Sequence, residues 1–198
     1  MSFDFKRHFE SIADFLFDEL LPNEQASLSY SAEDTYFLRT NHAQVRQNGF
    51  VLQAEISVTL YKNKRTYTFA QGLTGLLEQD KGPLAAALDD ARSIAAQLPE
   101  DPYQSVPTAC DCSETVYDGA LLPQQDVEKS LLDPADGLDF AGLFAQGVIC
   151  RGAANTAGAR HWFQTKTFTL DYSIWLENGR AVKGLYAGRD WQQAEYEK

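Results

Sequence analysis

The sequence has few of the features that would indicate nucleic-acid binding. It contains 17 lysine and arginine residues against 28 aspartate and glutamate residues, which gives a net charge of -11. Such a charge repels phosphate backbones. The one basic run, Lys62 to Arg65, falls in a predicted hairpin turn and is typical of a solvated loop. We therefore expect no nucleic-acid partner.

Long apolar runs are also missing. No run approaches the ~20 residues that a membrane-spanning helix needs, and no signal-peptide core follows Met1. The three cysteines, an odd number, favour reduced thiols. Cys110 and Cys112 are expected to be surface thiols, because no further ligand stands at a zinc-like spacing, and Cys150 is expected to be a small buried side chain. We expect a cytoplasmic protein without membrane contact.

Residues 148–188 show the clearest pattern in the chain, that of a three-stranded meander. An apolar run leads into Arg151, a turn of small residues is predicted at 152–158, and a long strand follows. The tripeptide Glu177-Asn178-Gly179 separates that strand from a returning one. Because Asn-Gly between two apolar runs is a strong hairpin signal, we expect the last two strands to pair.

A similar plan lies upstream. Tyr36 to Arg39 leads into a polar turn, 50–61 forms a long strand, and 65–72 returns. We interpret the two meanders as an internal duplication with a period of roughly a hundred residues, which is too long for a solenoid. Coincidence of two unrelated meanders is the alternative. Leu28 and Tyr30 mark a separate strand before Tyr36.

Apolar residues at spacings of three and four predict the helices. They are expected at 3–21, from Gly82-Pro83 to Leu98, around 126–132, and at 138–145, with a short one after Asp190. The fold class is therefore α+β, with two related lobes of antiparallel β-sheet each covered by helices. The lobes are expected at 1–98 and 124–198, joined by a proline-rich linker at 99–123.

Two segments carry a resemblance to a known family. ARSIAAQLPEDPYQSVP (91–107) and LDFAGLFAQGVICRGAANTAGARHWF (138–163), each beside a meander, resemble the amino-terminal region of the TldD/PmbA family, whose members are named modulators of DNA gyrase. The resemblance covers the chain from about Ser27 onward. It implies that the protein continues into a larger carboxyl-terminal domain beyond residue 198.

The same resemblance bears on cofactors. The TldD branch resembles a metalloprotease because it carries a His-Glu-x-x-x-His zinc motif. Here His8, His42 and His161 are followed by Phe, Ala and Trp, so none can be carried over as a ligand. The resemblance therefore implies either the PmbA/TldE-like branch or a motif beyond the end of this sequence. We expect no catalytic residue, metal ligand or cofactor in this chain, with zinc only in a TldD-type subunit or in the missing carboxyl-terminal domain.

Five residues are candidates for contact with a peptide or partner. Arg151, Asn155, Arg160 and His161 surround the predicted small-residue turn, and Trp175 lies on the long strand after it. The alternative is turn chemistry, in which the asparagine bonds its own backbone and the arginines reach solvent or a carboxylate.

The resemblance implies a non-catalytic part in peptide processing and proteolysis. The chain would shape the substrate passage and carry subunit contacts, and an edge strand could hold an unfolded or extended peptide. Its partners would be that peptide and a TldD-like subunit, or a second copy in a homodimer. A stand-alone non-catalytic interaction module is the alternative function, and an independent enzyme that uses thiols or His161 is a third.

Overall fold

The computed structural model describes residues 3–198 and contains four α-helices and seven strands in that range. In chain order these elements are α1 (Phe5–Asp18), β1 (Gln25–Asn41), β2 (Gln44–Lys62), β3 (Arg65–Leu73), α2 (Leu77–Ala95), β4 (Cys112–Tyr117), α3 (Val127–Leu132), β5 (Asp139–Asn155), β6 (Arg160–Trp175), β7 (Ala181–Gly188) and α4 (Gln193–Tyr196).

The strands form one seven-stranded sheet. Its order is β3-β2-β1-β5-β6-β4, and β7 also pairs with β6. The β2–β3 hairpin is antiparallel with Lys62 opposite Arg65, and the β6–β7 hairpin is antiparallel with Trp175 opposite Ala181. The predicted α+β class and both meanders are confirmed. Each meander, β1–β2–β3 and β5–β6–β7, pairs its consecutive strands as the sequence indicated.

The chain divides into two compact units that are interleaved in sequence. The first contains 3–32, 53–116 and 150–163, and the second contains 33–52, 117–149 and 164–198. This division differs from the expected one at 1–98, 99–123 and 124–198. The physical reason is strand length, because β1, β2, β5 and β6 each begin in one unit and end in the other.

In the first unit, α1 and α2 bury their apolar faces. Phe9, Ile12 and Leu16 of α1 are almost fully buried, as are Leu84 and Leu88 of α2. Asp4 caps α1 by accepting a hydrogen bond from the Arg7 N–H at 3.0 Å. The predicted helix at 3–21 is confirmed within a few residues at each end. No helix in 3–198 combines the length and the apolar character that crossing a bilayer requires.

The start of α2 differs from the prediction at Gly82-Pro83. The helix begins at Leu77, and Pro83 lies inside it. The Leu76 carbonyl accepts hydrogen bonds from the N–H groups of Gln79 and Asp80 at 2.8 and 3.0 Å, which starts the helix before the proline is reached. The prediction rested on the frequent occurrence of proline in the first turn of a helix. That preference does not exclude a helix that begins before the proline.

In the second unit, a core forms around α3 and the strands facing it. Its buried members include Leu38, Val127, Leu131, Phe140, Phe144, Phe168 and Leu170. The helix predicted around 126–132 is confirmed as α3. The helix predicted at 138–145 is wrong, since this segment is the first part of β5. Phe140, Phe144 and Gln146 are buried at even positions while Leu143 is exposed, which is the period of a strand.

Three further boundaries differ from the sequence prediction. The strands expected around Leu28 and Tyr36 are one continuous strand, β1. The turn expected at 152–158 is shorter, because β5 continues to Asn155 and only 156–158 turn. The expected linker at 99–123 contains β4, which pairs with β6. Each difference lengthens the sheet at the expense of a predicted loop.

Candidate functional site

The five candidate residues fall in both units. Arg151, Asn155, Arg160 and His161 belong to the first unit, and Trp175 belongs to the second. Each group is therefore described in its own unit.

Asn155 has a structural position at the end of β5. Its Oδ1 accepts a hydrogen bond from the Ala159 N–H at 3.0 Å, and its Nδ2 donates to the Ala109 carbonyl at 3.0 Å. The side chain is buried and closes the turn at 156–158. Its polar side-chain atoms thus bond the backbone of the turn, which was the alternative to contact with a peptide or partner. Arg151, in contrast, is exposed and donates to the carbonyl of its neighbour Cys150 at 2.8 Å.

Arg160 and His161 line a groove of about 350 Å³ in the first unit. Its walls come from α1, β4 and the start of β6. The lining residues are Lys6, Phe9, Glu10, Cys112, Ser113, Glu114, Arg160, His161 and Trp162. The floor is fixed because Phe9 stacks on Trp162 with 5.8 Å between ring centroids, and both side chains are buried. The groove therefore has an apolar base and a charged rim.

The charges of this rim are largely paired with one another. Lys6 Nζ lies 2.6 Å from Glu114 Oε2, and Arg160 Nη2 lies 3.1 Å from Asp14 Oδ1. The hydrogen bond to Glu114 raises the pKa of Lys6. The Arg160 guanidinium also lies over the Phe17 ring, 4.7 Å from its centroid. An incoming ligand would have to compete with these intramolecular pairs.

His161 has a hydroxyl partner that its sequence neighbours do not reveal. Ser113 Oγ and His161 Nδ1 are 2.8 Å apart, and His161 Nε2 lies 3.9 Å from Asp111 Oδ2. A hydroxyl, an imidazole and a carboxylate thus occur together, but the hydroxyl lies at Nδ1 and the carboxylate at Nε2, the reverse of the arrangement in serine hydrolases. In addition, 3.9 Å is too long for a hydrogen bond, so Asp111 does not orient the ring as a catalytic carboxylate does. The sequence offered one signal for this cluster, which is that Asp111 and Ser113 stand two residues apart, so that both side chains point to the same face of an extended segment.

The other nucleophilic and metal-binding groups of the first unit do not assemble into a site. Cys110 and Cys112 are exposed, whereas Cys150 is buried, and burial raises its pKa to about 11. Cys150 therefore remains a protonated thiol at neutral pH. Over the described range 3–198, no three His, Cys, Asp or Glu side chains are placed to hold a metal ion. The expectation that zinc is bound elsewhere stays a prediction.

A buried polar network also lies in the first unit. His8 Nε2 is 3.1 Å from Asp80 Oδ2, and His8 Nδ1 is 3.2 Å from the Tyr30 hydroxyl. Asp80 Oδ1 accepts a further hydrogen bond from the Thr74 N–H at 2.8 Å. Desolvation by burial raises the pKa of Tyr30, which keeps the hydroxyl protonated. The network joins α1, β1 and α2 and has a structural role in fixing how they pack.

In the second unit, Trp175 stands beside the edge strand β7. Its side chain is 49% exposed, and it lies opposite Ala181 in the β6–β7 pair. Two further apolar side chains on β7, Val182 and Leu185, are 57% and 71% exposed. Because adjacent residues of a strand point to opposite faces, Leu185 shares the face of Trp175 and Val182 lies on the other. Apolar surface is thus available on both sides of this edge.

The backbone of β7 offers unpaired groups along the same edge. The Leu176 N–H donates to the Arg180 carbonyl at 2.8 Å, so the even positions of β7 form the hydrogen-bonded pairs with β6. The N–H and C=O groups of Ala181, Lys183, Leu185 and Ala187 therefore point away from β6. Within 3–198, β7 pairs with no other strand. An extended segment could bind to these groups as an additional strand.

Comparison with solved structures places this fold among known proteins. A proposed modulator of a DNA gyrase from Thermotoga maritima matches with a TM-score of 0.62 and 16% identity, over 96% of this chain and 46% of that protein. TldE from Thermococcus kodakarensis matches with a TM-score of 0.62 and 12% identity, over 92% of this chain and 43% of TldE. A proposed modulator of DNA gyrase from Bacteroides thetaiotaomicron matches with a TM-score of 0.57 and 15% identity, over 93% of this chain and 45% of that protein.

The chain thus spans a little less than half the length of these proteins. At such identities the similarity establishes the fold, and the resemblance predicted from 91–107 and 138–163 is confirmed at that level. No protein-family model matches the sequence, and no curated protein gives a significant match.

Proposed function

We propose that this chain is a non-catalytic, peptide-holding region of a TldD/PmbA-type peptide-processing assembly. The observation that carries the proposal is the open edge of β7, with four residues whose backbone groups point away from β6 and exposed apolar side chains on both faces. The fold similarity to TldE and to proposed gyrase modulators supports the choice of assembly. The cytoplasm is the location that this proposal implies.

Such an edge suits unfolded substrates. Backbone hydrogen bonds to an added strand depend little on the sequence of that strand, whereas Leu185 and Val182 supply apolar contacts on either side. A strongly acidic chain would still be selective against polyanions such as nucleic acids. The expected ligand is therefore an extended peptide without strong sequence preference.

The proposal is tested by removing one outward N–H group from β7. Lys183→Pro deletes the donor at an odd position while leaving the pairs between β6 and the even positions of β7 in place. Its matched control is Lys183→Ala, which loses the same charge and keeps the N–H. We expect Lys183→Pro to weaken binding of a labelled, soluble, unstructured peptide about fivefold, because one hydrogen bond is lost. Lys183→Ala should bind within about twofold of the wild type.

Thermal melting of both variants shows whether the hairpin is intact. Equal affinity of Lys183→Pro and wild type, with both folded, would contradict strand addition at β7. A stand-alone interaction module would use the same edge, so a second assay separates the two functions. In the presence of a TldD-type partner subunit, the wild-type chain should increase peptide cleavage and Lys183→Pro should do so less.

A further inference from the structure

Two arginines, Arg39 and Arg46, line one groove in the second unit. They lie on β1 and β2, which are joined by the two-residue loop His42-Ala43. Both loop residues have positive φ, 52° and 50°, as in the tight turns that join paired strands. A two-residue loop places Arg39 opposite Arg46 on the neighbouring strand, so their guanidinium groups share one side of the hairpin.

Apolar residues also line this groove. Ala141 and Leu143 of β5 form part of it, and the Leu143 side chain is half exposed. Thr40 donates a hydrogen bond from Oγ to the Gly142 carbonyl at 3.3 Å, which holds β1 beside β5. The resulting space is about 500 Å³. It is lined by two cations and by exposed aliphatic surface.

Neither guanidinium has a partner among the residues that the structure describes. By contrast, Arg65, Arg92 and Arg160 each have a carboxylate within 3.4 Å. The acid near the β1–β2 turn, Asp139, is already engaged, because His42 Nδ1 lies 2.7 Å from its Oδ1. Like charges opposite each other on adjacent strands destabilise a sheet. The Arg39–Arg46 pair therefore places two positive charges close together in a chain with a net charge of -11.

We propose that the Arg39–Arg46 groove binds a peptide carboxylate, either a free C-terminus or an acidic side chain next to an apolar residue. A guanidinium donates in a fork that matches the two oxygens of a carboxylate. The aliphatic side chains of Ala141 and Leu143 in the lining favour a carboxylate attached to an apolar group over a small inorganic anion. This site goes beyond the proposed function, because it uses β1, β2 and β5 and not the β7 edge.

Three short peptides of defined ends test the proposal by calorimetry at low ionic strength, where such contacts are not screened. They are acetyl-Ala-Ala-Leu with a free carboxylate, the same peptide as its C-terminal amide, and acetyl-Ala-Glu-Leu amide. We expect the uncharged amide to bind at least about tenfold more weakly than a carboxylate peptide. Binding of the first peptide identifies a C-terminal source, and binding of the third identifies a side-chain source.

Variants assign the binding to the groove. Arg39→Gln and Arg46→Gln should each weaken carboxylate binding at least about tenfold. Arg180→Gln is the matched control, since it removes the same charge from an exposed arginine in the turn before β7. Because repulsion between the two arginines is relieved, Arg39→Gln should melt no lower than the wild type. That measurement shows that weaker binding does not reflect misfolding.

Four results would overturn the proposal. They are equal binding of amide and carboxylate peptides, no detectable binding of any peptide, an equal loss in Arg180→Gln, and displacement by inorganic phosphate at the same concentration as the carboxylate peptide. Failure here is distinguishable from failure of the β7 proposal. Lys183→Pro should leave carboxylate binding unchanged, and Arg39→Gln should leave binding of an uncharged unstructured peptide unchanged.

Discussion

Gly152 lies directly under the ring of Phe9, so that a Cβ at position 152 would be 2.9 Å from the ring carbons. The ring cannot move away easily, because Phe9 is buried and its centroid lies 5.4 Å from that of Tyr30 and 5.8 Å from that of Trp162. Gly152 therefore serves a close approach between β5 and α1. The sequence had assigned it to a turn.

We expect Gly152→Ala to lower the free energy of unfolding by about 2 kcal/mol, because the added methyl group overpacks a rigid aromatic cluster. Chemical denaturation measures the change. Gly72→Ala is the matched control, since a Cβ at position 72 meets no atom beyond its chain neighbours within 4 Å and the residue lies inside β3. That variant should gain up to about 1 kcal/mol. A Gly152→Ala protein as stable as the wild type would contradict the close approach.

Glu24 provides a pH-dependent prediction. Its side chain is fully buried, and its carboxylate accepts hydrogen bonds from Arg92, from Lys62 and from the Leu21 N–H at 2.9 to 3.1 Å. Desolvation by burial opposes ionisation, but these hydrogen bonds prevail and hold the pKa of Glu24 below its ordinary value of 4.5. A depressed carboxyl pKa stabilises the fold at all pH values above that ordinary value. The stabilisation is lost as the pH falls through the folded-state pKa.

We therefore expect Glu24→Gln to destabilise the protein by about 3 kcal/mol at pH 7, since a buried charge partner is removed. The difference from wild type should shrink below pH 4.5. Glu78→Gln serves as the control because Glu78 pairs with Lys81 on an exposed helix surface, and it should change stability by less than about 1 kcal/mol. A gap between Glu24→Gln and wild type that does not depend on pH would count against this account.

Much of the fold could be predicted because its periodicities are local. The 3.6-residue pattern identified α1, and Asn178-Gly179 identified the β6–β7 hairpin. The two meanders predict that β1–β2–β3 and β5–β6–β7 superpose, which a structural overlay of the two regions would test. The misassigned helix at 138–145 shows where local reasoning fails. Phe140 and Phe144 fit either period, and the segment is a strand because it pairs with β1 and β6 on its two sides, which its own sequence does not reveal.

The candidate site was less accessible to prediction, since its contacts join residues far apart in the chain. Arg160 and His161 do line one groove, but the hydroxyl beside His161 comes from β4, which the sequence placed in a linker. Asn155 is different, because its hydrogen bond with the Ala159 N–H is a local turn contact of the kind that the sequence predicted as the alternative. The Arg39–Arg46 pair did not follow from the predicted meander, because its long strand was expected only from residue 50, whereas β2 begins at Gln44.

We expect the chain alone to bind no stoichiometric zinc and to cleave no peptide. No triad of potential ligands occurs within 3–198, and Asp111 is too far from His161 to complete a catalytic triad. Metal analysis after dialysis and digestion of unfolded casein measure the two properties. One tightly held zinc per chain would contradict the first expectation. Casein cleavage that disappears in Ser113→Ala would contradict the second and identify Ser113 and His161 as catalytic residues.

The last prediction concerns self-association through the exposed face around Trp175. Most aromatic residues of the second meander pack within the second unit, where Trp191 lies 5.0 Å from Phe168 and 5.1 Å from Tyr186, centroid to centroid. Trp175 and Leu185 remain largely exposed on one face. Exposed apolar side chains of this size on one face of a hairpin favour an interface. We therefore expect a dimer in size-exclusion chromatography at micromolar concentration.

Trp175→Glu should shift this chain to the monomer, because burying the new carboxylate in an apolar contact would be unfavourable. Phe50→Glu is the matched control. Phe50 is also exposed and aromatic, but it lies on β2, which is separated from β7 by three other strands of the sheet. This control should remain dimeric, which separates loss of a specific contact from a general effect of added negative charge. A wild-type chain that stays monomeric at micromolar concentration would show that the face around Trp175 is not covered by a second copy.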